Sequence, residues 1–162
     1  MVKDDLGAEG ALLLRHLTSD DAAQFSELLQ AYRTEMYPAA KVDSEREDAA
    51  AALLVDPKAE VVGGFLDGKL STFAVFFDLP EAISGSRAGQ LDDLYVASHA
   101  RGQRLAQRMI EAIAEIGRAR GWVHLRWLVP DENESARKTY DRFATPAAWK
   151  SYALWLGDGG SW

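Results

Sequence analysis

The stretch Leu91-Asp-Asp-Leu-Tyr-Val-Ala-Ser-His-Ala-Arg-Gly-Gln-Arg-Leu-Ala-Gln-Arg-Met-Ile110 is the most informative part of this chain. Its first six residues have strand character and include two acids. A short polar turn with one glycine then leads into a helix that carries arginines. A turn from strand to helix directs backbone N–H groups and the positive end of the helix dipole at one point. Such a turn suits a phosphate group, and the two acids lie a few residues upstream of it.

The composition of the 162-residue chain limits the classes of function. It contains no cysteine, which excludes disulfides, a thiolate metal site and a cysteine nucleophile. The three histidines, His16, His99 and His124, lack the spacing of metal ligands, so we expect no metal site. The net charge of −7 argues against nucleic acid as a partner and favours a cationic substrate. Because the sequence shows neither a bilayer-spanning apolar run nor a signal core, we expect a cytoplasmic protein that binds no membrane.

Hydrophobic periodicity predicts one α/β domain around a mixed sheet. The domain is expected over residues 11–156, between loose tails at 1–10 and 157–162. The predicted order is strand, two helices, three strands, helix, strand, helix and strand. The predicted strands cover 11–17, 60–66, 69–77, 91–96, 122–129 and 149–156, and 80–89 is predicted as a loop. The predicted helices begin at Thr18 or Ser19, at Ser44, near Gln103 and near Asn133.

Three groups of residues follow one another in the order and spacing of a known family. Leu94-Tyr-Val96 followed by Arg101-Gly-Gln-Arg-Leu-Ala106 is similar to a pyrophosphate loop of the form R/Q-x-x-G-x-G/A, with Arg104 at the usual glycine position. Asn133-Glu-Ser-Ala-Arg-Lys-Thr-Tyr140 is similar to a helix of the form N-x-x-A-x-x-x-Y. The third group combines 91–96, 140–144 and 149–152. Together they resemble the GNAT superfamily of acyl-CoA-dependent N-acyltransferases, and the third group looks like its branch that acetylates polyamines, histone tails and other small amines.

The resemblance implies a fold, a cofactor and roles for several residues. In GNAT proteins the fourth and fifth strands splay apart around the pantetheine arm of acetyl-CoA, the implied cofactor. Tyr140 would protonate the departing thiolate, and backbone N–H groups of the loop would hold the pyrophosphate. The residues expected to bind the cofactor are Leu94, Tyr95, Val96, Arg101, Gly102, Gln103, Arg104, Leu105, Ala106, Asn133 and Ala136.

The two acids, Asp92 and Asp93, are the candidates for removing a proton from the acceptor. A lysine-like amine has a pKa near ~10.4, so at pH 7 only about one molecule in a few thousand is the neutral nucleophile. An acid in the cleft, acting through water, would attract the ammonium ion and then take its proton. Neighbouring residues of a regular strand face opposite sides, so one acid is expected to be solvated. We favour Asp92 as the catalytic acid, because it aligns with the acid of the amine-acetylating branch.

The acceptor wall is expected in the irregular segment after the first helix, which holds Tyr32, Glu35 and Tyr37. The sequence thus predicts an N-acetyltransferase that moves an acetyl group from acetyl-CoA directly to a primary amine of a small cationic or lysine-like acceptor. Two alternatives stay open. One is the same chemistry on an amino acid, an antibiotic or a protein N-terminus. The other is a non-catalytic acyl-CoA-binding module, which Arg104 in place of glycine would favour. The branch also often forms dimers, so a homodimer is expected.

Overall fold

The computed structural model describes residues 12–38 and 49–156, and it confirms the predicted α/β class with a mixed sheet. Five strands lie in the sheet in their order along the chain. Neighbouring strands are antiparallel except β4 and β5, which are parallel. The strands are β1 (Leu12–His16), β2 (Ala59–Leu66), β3 (Lys69–Glu81), β4 (Ser86–Val96) and β5 (Trp122–Arg126). The helices are α1 (Ala22–Met36), α2 (Ala49–Val55), α3 (Leu105–Arg120) and α4 (Glu134–Tyr140).

The chain divides into two compact units after Leu128. The first carries the sheet and helices α1 to α3, and the second carries α4. Residues 149–156 of the second unit are irregular, so the strand predicted there is wrong. Tyr152 and Leu156 in this segment are 90% and 91% exposed. Alternating apolar residues fit a strand, but a strand also needs a hydrogen-bonded neighbouring strand, and the sheet of the described residues consists of β1 to β5.

Helices cover both faces of the sheet in the first unit. On one face Phe73 of β3 packs edge-on against Phe25 of α1, with ring centroids 5.1 Å apart. Phe76 of β3 packs against Trp122 of β5, with ring centroids 6.0 Å apart. Trp122 in turn lies on Gly117 of α3, where an added Cβ would be 2.3 Å from the indole ring. Glycine is therefore needed at this point for α3 to approach the sheet.

The hairpin of β3 and β4 is longer than predicted, because it includes most of the span expected as a loop. The Arg87 guanidinium donates to the Asp78 carboxylate across the hairpin at 2.6 Å. The Glu81 carboxylate accepts hydrogen bonds from the backbone N–H groups of residues 83 and 84, which closes the turn. Pro80 is tolerated in β3 because the pairing with β2 ends at Phe77 and leaves that edge without a ladder.

Helix α1 also extends further than predicted. A 3-10 turn at Ser19–Asp21 precedes it, and the Asp21 carboxylate accepts a hydrogen bond from the Thr18 backbone N–H at 2.8 Å. Because α1 continues to Met36, Tyr32 and Glu35 lie on a helix and not in an irregular segment. The predicted helix start at Ser44 and the predicted tails at 1–10 and 157–162 lie outside the described residues.

Candidate functional site

A bulge in β4 falls at the pair of acids. Val75 of β3 lies opposite Asp93, and the next residue, Phe76, lies opposite Leu91. Asp92 is therefore an extra residue of β4 that matches none on β3 in the described register. A bulge of this kind bends the strand and increases its local twist.

The pairing of β4 with β5 ends at the same point. Their parallel pairing ends at Gln90 opposite Arg126, directly before the bulge. In the described sheet, residues 91–96 of β4 are paired with β3 alone, so their other edge is left without a strand. β5 itself ends at Arg126, so Leu94, Tyr95 and Val96, where the splaying of the two strands was expected, lie on the part of β4 beyond its pairing with β5.

The bulge gives the two acids different surroundings. Asp93 is partly buried, and its Oδ1 accepts a hydrogen bond from the Tyr32 hydroxyl at 3.0 Å. Burial raises the pKa of the Asp93 carboxyl, and the negative charge of Asp92 adds to this. The Tyr32 hydrogen bond and the charge of Arg33 act in the opposite direction. The Asp92 side chain is exposed.

Tyr32 is held firmly for its contact with Asp93. Its ring packs edge-on against Phe73, with centroids 5.8 Å apart, and lies 5.3 Å from the ring of Tyr95. Burial raises the pKa of the Tyr32 hydroxyl, and the charge of Asp93 raises it further. The phenol therefore keeps its proton and donates a hydrogen bond to the carboxylate. Tyr32 was predicted to contact the acceptor, and in the structure it is a hydrogen-bond partner of Asp93.

Glu35 lies one helical turn beyond Tyr32 and has two partners. Its Oε2 accepts a hydrogen bond from the Tyr95 hydroxyl at 3.0 Å. Both of its carboxylate oxygens accept from Nη2 of Arg101, at 2.6 and 2.7 Å. The Arg101 hydrogen bond lowers the pKa of the Glu35 carboxyl. Arg101, expected at a phosphate, thus binds a carboxylate of the protein.

The turn before α3 has two residues in the left-handed conformation, Gly102 at φ +82° and Arg104 at φ +57°. Glycine adopts this conformation without a steric penalty, whereas other residues lose roughly 1–2 kcal/mol. Arg104 therefore has the backbone conformation that a glycine would adopt freely at this position. An added Cβ at Gly102 meets no atom of the described residues within 4 Å, so glycine serves conformation there and not close packing.

The start of α3 has the features of an anion-binding site. The first N–H groups of a helix have no partner within the helix. The side chain of Arg104, the residue that precedes α3, makes no capping hydrogen bond to these groups. α3 is 16 residues long, so its dipole also favours an anion at this end. The N–H groups of 102–106 and the helix start are therefore suited to an anionic group.

The second unit carries the other predicted cofactor residues. Asn133 caps α4, because its side chain accepts a hydrogen bond from the Ala136 backbone N–H at 3.2 Å. Tyr140 is the last residue of α4, and its ring packs edge-on against Phe143 at 6.2 Å. Burial raises the pKa of the Tyr140 hydroxyl, so this phenol is protonated at neutral pH. The remaining acceptor candidate, Tyr37, is an exposed residue directly after α1.

The structure therefore pairs residues that the sequence pointed to separately. Tyr32 and Glu35 are three residues apart on a helix, and Asp93 and Tyr95 are two apart on a strand, so each couple shares one face. This spacing was the only available signal for the two contacts between α1 and β4.

In the described part of the chain, no cluster of three or more acidic or histidine side chains is placed to hold a metal ion. Its helices are all too short or too polar to cross a membrane.

A bulged acidic strand, a strand edge that continues beyond the pairing with β5 and a helix start suited to an anion are the features expected of an acyltransferase site. Residues 22–144 match the model of the Acetyltransferase (GNAT) family, and the chain belongs to that family. It is an N-acyltransferase, and acetyl-CoA is the general acyl donor of GNAT acetyltransferases.

Several solved structures resemble this chain. A ribosomal-protein-alanine N-acetyltransferase from Brucella melitensis biovar Abortus 2308 is 35% identical, with 90% of this chain and 99% of that chain covered and a TM-score of 0.79. An integron cassette protein from the mobile metagenome of V. cholerae is 19% identical, with 91% and 93% covered and a TM-score of 0.76. An aminoglycoside acetyltransferase from an uncultured soil metagenomic sample is 18% identical, with 90% and 95% covered and a TM-score of 0.73. The last two show the fold alone. Among curated proteins none matches this chain.

Proposed function

We propose that this protein transfers an acetyl group from acetyl-CoA directly to a primary amine of a small cationic or lysine-like acceptor. The proposal depends on one observation: the Asp93 carboxyl accepts a hydrogen bond from Tyr32, just beyond the end of the pairing between β4 and β5. When bound, acetyl-CoA supplies the acetyl group as a thioester. The exposed carboxylate of Asp92 and the net charge of −7 support a cationic acceptor, because both attract positive charge.

Asp93 is the proposed proton acceptor, in preference to Asp92, which the sequence favoured. Taking a proton from an ammonium of pKa near ~10.4 is uphill for any carboxylate, by roughly 1.4 kcal/mol for each unit between the two pKa values. Burial raises the pKa of Asp93 and so narrows this gap. The Tyr32 hydroxyl occupies one oxygen of the carboxylate and orients the other. Asp92 would serve to attract the acceptor.

The acyl donor would be held by the backbone more than by side chains. The N–H groups of residues 102–106 would bind the pyrophosphate, and the unpaired edge of 94–96 would bind the amides of the pantetheine arm. Asn133 and Ala136 remain proposed cofactor residues. Tyr140 is the proposed donor of a proton to the leaving sulfur, and the raised pKa of its hydroxyl supports this role because the proton is retained until it is needed.

A second candidate acceptor is the α-amino group of a protein N-terminus. It is supported by the 35% identity to a ribosomal-protein-alanine N-acetyltransferase over 90% of this chain. An α-amino group has a pKa of about 7.7–8.0, so a far larger share of it is neutral at pH 7 than of a lysine-like amine. Such an acceptor would depend less on Asp93 at neutral pH.

The test is release of free thiol from acetyl-CoA in the presence of a panel of acceptors. The panel holds a polyamine, free lysine, an aminoglycoside and a peptide that begins with alanine. Turnover with the polyamine or lysine, lost in Asp93→Asn, would support the first proposal, and turnover with the peptide alone would support the second. Binding of acetyl-CoA without turnover on any amine would favour a non-catalytic module. We also propose a cytoplasmic homodimer, to be tested by light scattering and by cell fractionation.

A further inference from the structure

Helix α1 and strand β4 are joined by two tyrosine–carboxylate hydrogen bonds that run in opposite directions. Tyr32 of α1 donates to Asp93 of β4, and Tyr95 of β4 donates to Glu35 of α1, each at 3.0 Å. The ring centroids of the two tyrosines are 5.3 Å apart, so the two bonds lie side by side. They fasten the last turns of α1 to the part of β4 beyond its pairing with β5.

The second of these bonds continues into the turn before α3. Arg101 begins the turn, and its Nη2 donates to both oxygens of Glu35. Its Nε donates to the backbone carbonyl of Val96 at 3.1 Å, and its guanidinium lies 5.8 Å from the centroid of the Tyr95 ring. One side chain thus joins the end of α1, the end of β4 and the first residue of the turn.

We propose that Glu35 is a positioning residue for the acyl donor, acting through Arg101; this rests on the proposed function. Glu35 would hold the start of the turn so that the N–H groups of 102–106 stay directed at one point. These roles differ from those expected from the sequence, which placed Glu35 in the acceptor wall and Arg101 among the cofactor-binding residues.

Charge and backbone geometry both support this assignment. The Glu35 carboxylate lies 2.6–2.7 Å from Nη2 of Arg101 and largely compensates its positive charge. Arg101 therefore attracts a phosphate only weakly. For the same reason, Glu35 attracts a cation only weakly. The turn contains left-handed residues at 102 and 104, and such a backbone persists where surrounding contacts hold it. A turn that is already ordered loses less conformational freedom when the donor binds.

Calorimetric titration with coenzyme A tests the proposal, using Glu35→Gln, Arg101→Lys and the control Glu27→Gln. Glu27 is an exposed residue of the same helix, so its substitution matches the chemical change without touching the turn. If Glu35 positions the turn, Glu35→Gln raises the Kd for coenzyme A by about fivefold, the size expected of a half-exposed ion pair. Arg101→Lys does the same, because an ammonium lacks the fork that contacts Glu35 and Val96 together. Glu27→Gln leaves the Kd unchanged.

If Arg101 instead binds a phosphate directly, the Kd for coenzyme A is expected to change in the opposite direction. If Arg101 is a phosphate ligand, Glu35→Gln frees its guanidinium, so coenzyme A binds equally well or more tightly, and Arg101→Lys keeps most of the affinity; either result overturns the proposal. The salt dependence of the Kd gives an independent readout, since a lost phosphate contact flattens it and a displaced turn does not. If wild type binds coenzyme A but acetylates no amine, the proposed function fails and the positioning role can still stand. If wild type binds no coenzyme A, both fail.

Discussion

Replacing Arg104 with glycine is expected to stabilise the protein, although it removes a long side chain. Arg104 has φ +57° and ψ 24°, the left-handed conformation, at the residue that precedes α3. A residue with a Cβ loses roughly 1–2 kcal/mol there. Glycine avoids this cost. Because glycine has more conformational freedom in the unfolded chain, however, it also lowers the free energy of unfolding by roughly 0.5–1 kcal/mol. The free energy of unfolding should therefore rise by about 0.5–1 kcal/mol.

Thermal denaturation followed by circular dichroism measures this change. For a chain of this length 1 kcal/mol corresponds to roughly 2–4 °C, so Arg104→Gly should raise Tm by about 1–4 °C. Arg104→Ala is the matched control, because it removes the same guanidinium but keeps the Cβ and hence the conformational cost. Its Tm should stay close to that of wild type. If glycine and alanine shift Tm equally, the side chain and not the backbone is responsible, and the reasoning is refuted.

The same two variants also show what holds the phosphates. If backbone N–H groups bind them, Arg104→Gly retains the wild-type affinity for coenzyme A, because the turn keeps its conformation. If the Arg104 guanidinium contributes a phosphate contact, both variants lose affinity to the same extent. Arginine in place of the usual glycine would then add a side chain that contacts phosphate, and it would not disrupt the loop.

Three further predictions concern the acids and Tyr140. Asp93→Asn should lower kcat by about 10²–10⁴-fold, as expected for loss of a general base, while Asp92→Asn should mainly raise the KM of a cationic acceptor; steady-state kinetics showing the reverse would make Asp92 the base. Tyr140→Phe should lower kcat and leave the affinity for acetyl-CoA unchanged, and an unaltered kcat would remove Tyr140 from the mechanism. The hydrogen bond from Arg15 lowers the pKa of Asp21 from 3.8 to about 2, so the charged carboxylate stabilises the fold above pH ~4 and this contribution is lost as the pH falls towards 2. Urea unfolding should show Asp21→Asn destabilised by about 2 kcal/mol at pH 7, with the difference from wild type narrowing below pH ~4; a constant difference would contradict the assignment.

The elements controlled by local sequence were predictable. Asp67 and Gly68 both have positive φ in the turn between β2 and β3, the conformation that an Asp-Gly dipeptide favours in a two-residue hairpin turn. Gly121 ends α3 in the left-handed conformation, and Asn133 caps α4. Each of these depends on the preferences of one or two residues, and so a pattern in the sequence suffices.

Features that depend on long-range pairing could not be predicted in the same way. The alternation at 149–156 is that of a strand, but whether a strand forms depends on a neighbour that the segment itself does not specify. Pro80 and Gly85 are typical of a loop, yet the contact between Arg87 and Asp78 keeps the hairpin paired around them. Nor does the sequence indicate that Arg101 lies against Glu35, because 66 residues separate them.

The bulge at Asp92 explains why two adjacent acids differ, and it coincides with the end of the pairing between β4 and β5. Without Asp92, Leu91 and Asp93 would follow each other and lie opposite Phe76 and Val75, in a register with no interruption. The inserted residue is thus an addition to an otherwise regular ladder, and it leaves Asp93 on the face of Val75, towards α1. The bend at the insertion coincides with the end of the pairing between β4 and β5. One residue therefore supplies an exposed carboxylate, keeps a partly buried one next to Tyr32, and lies directly beyond the last residue of β4 that pairs with β5.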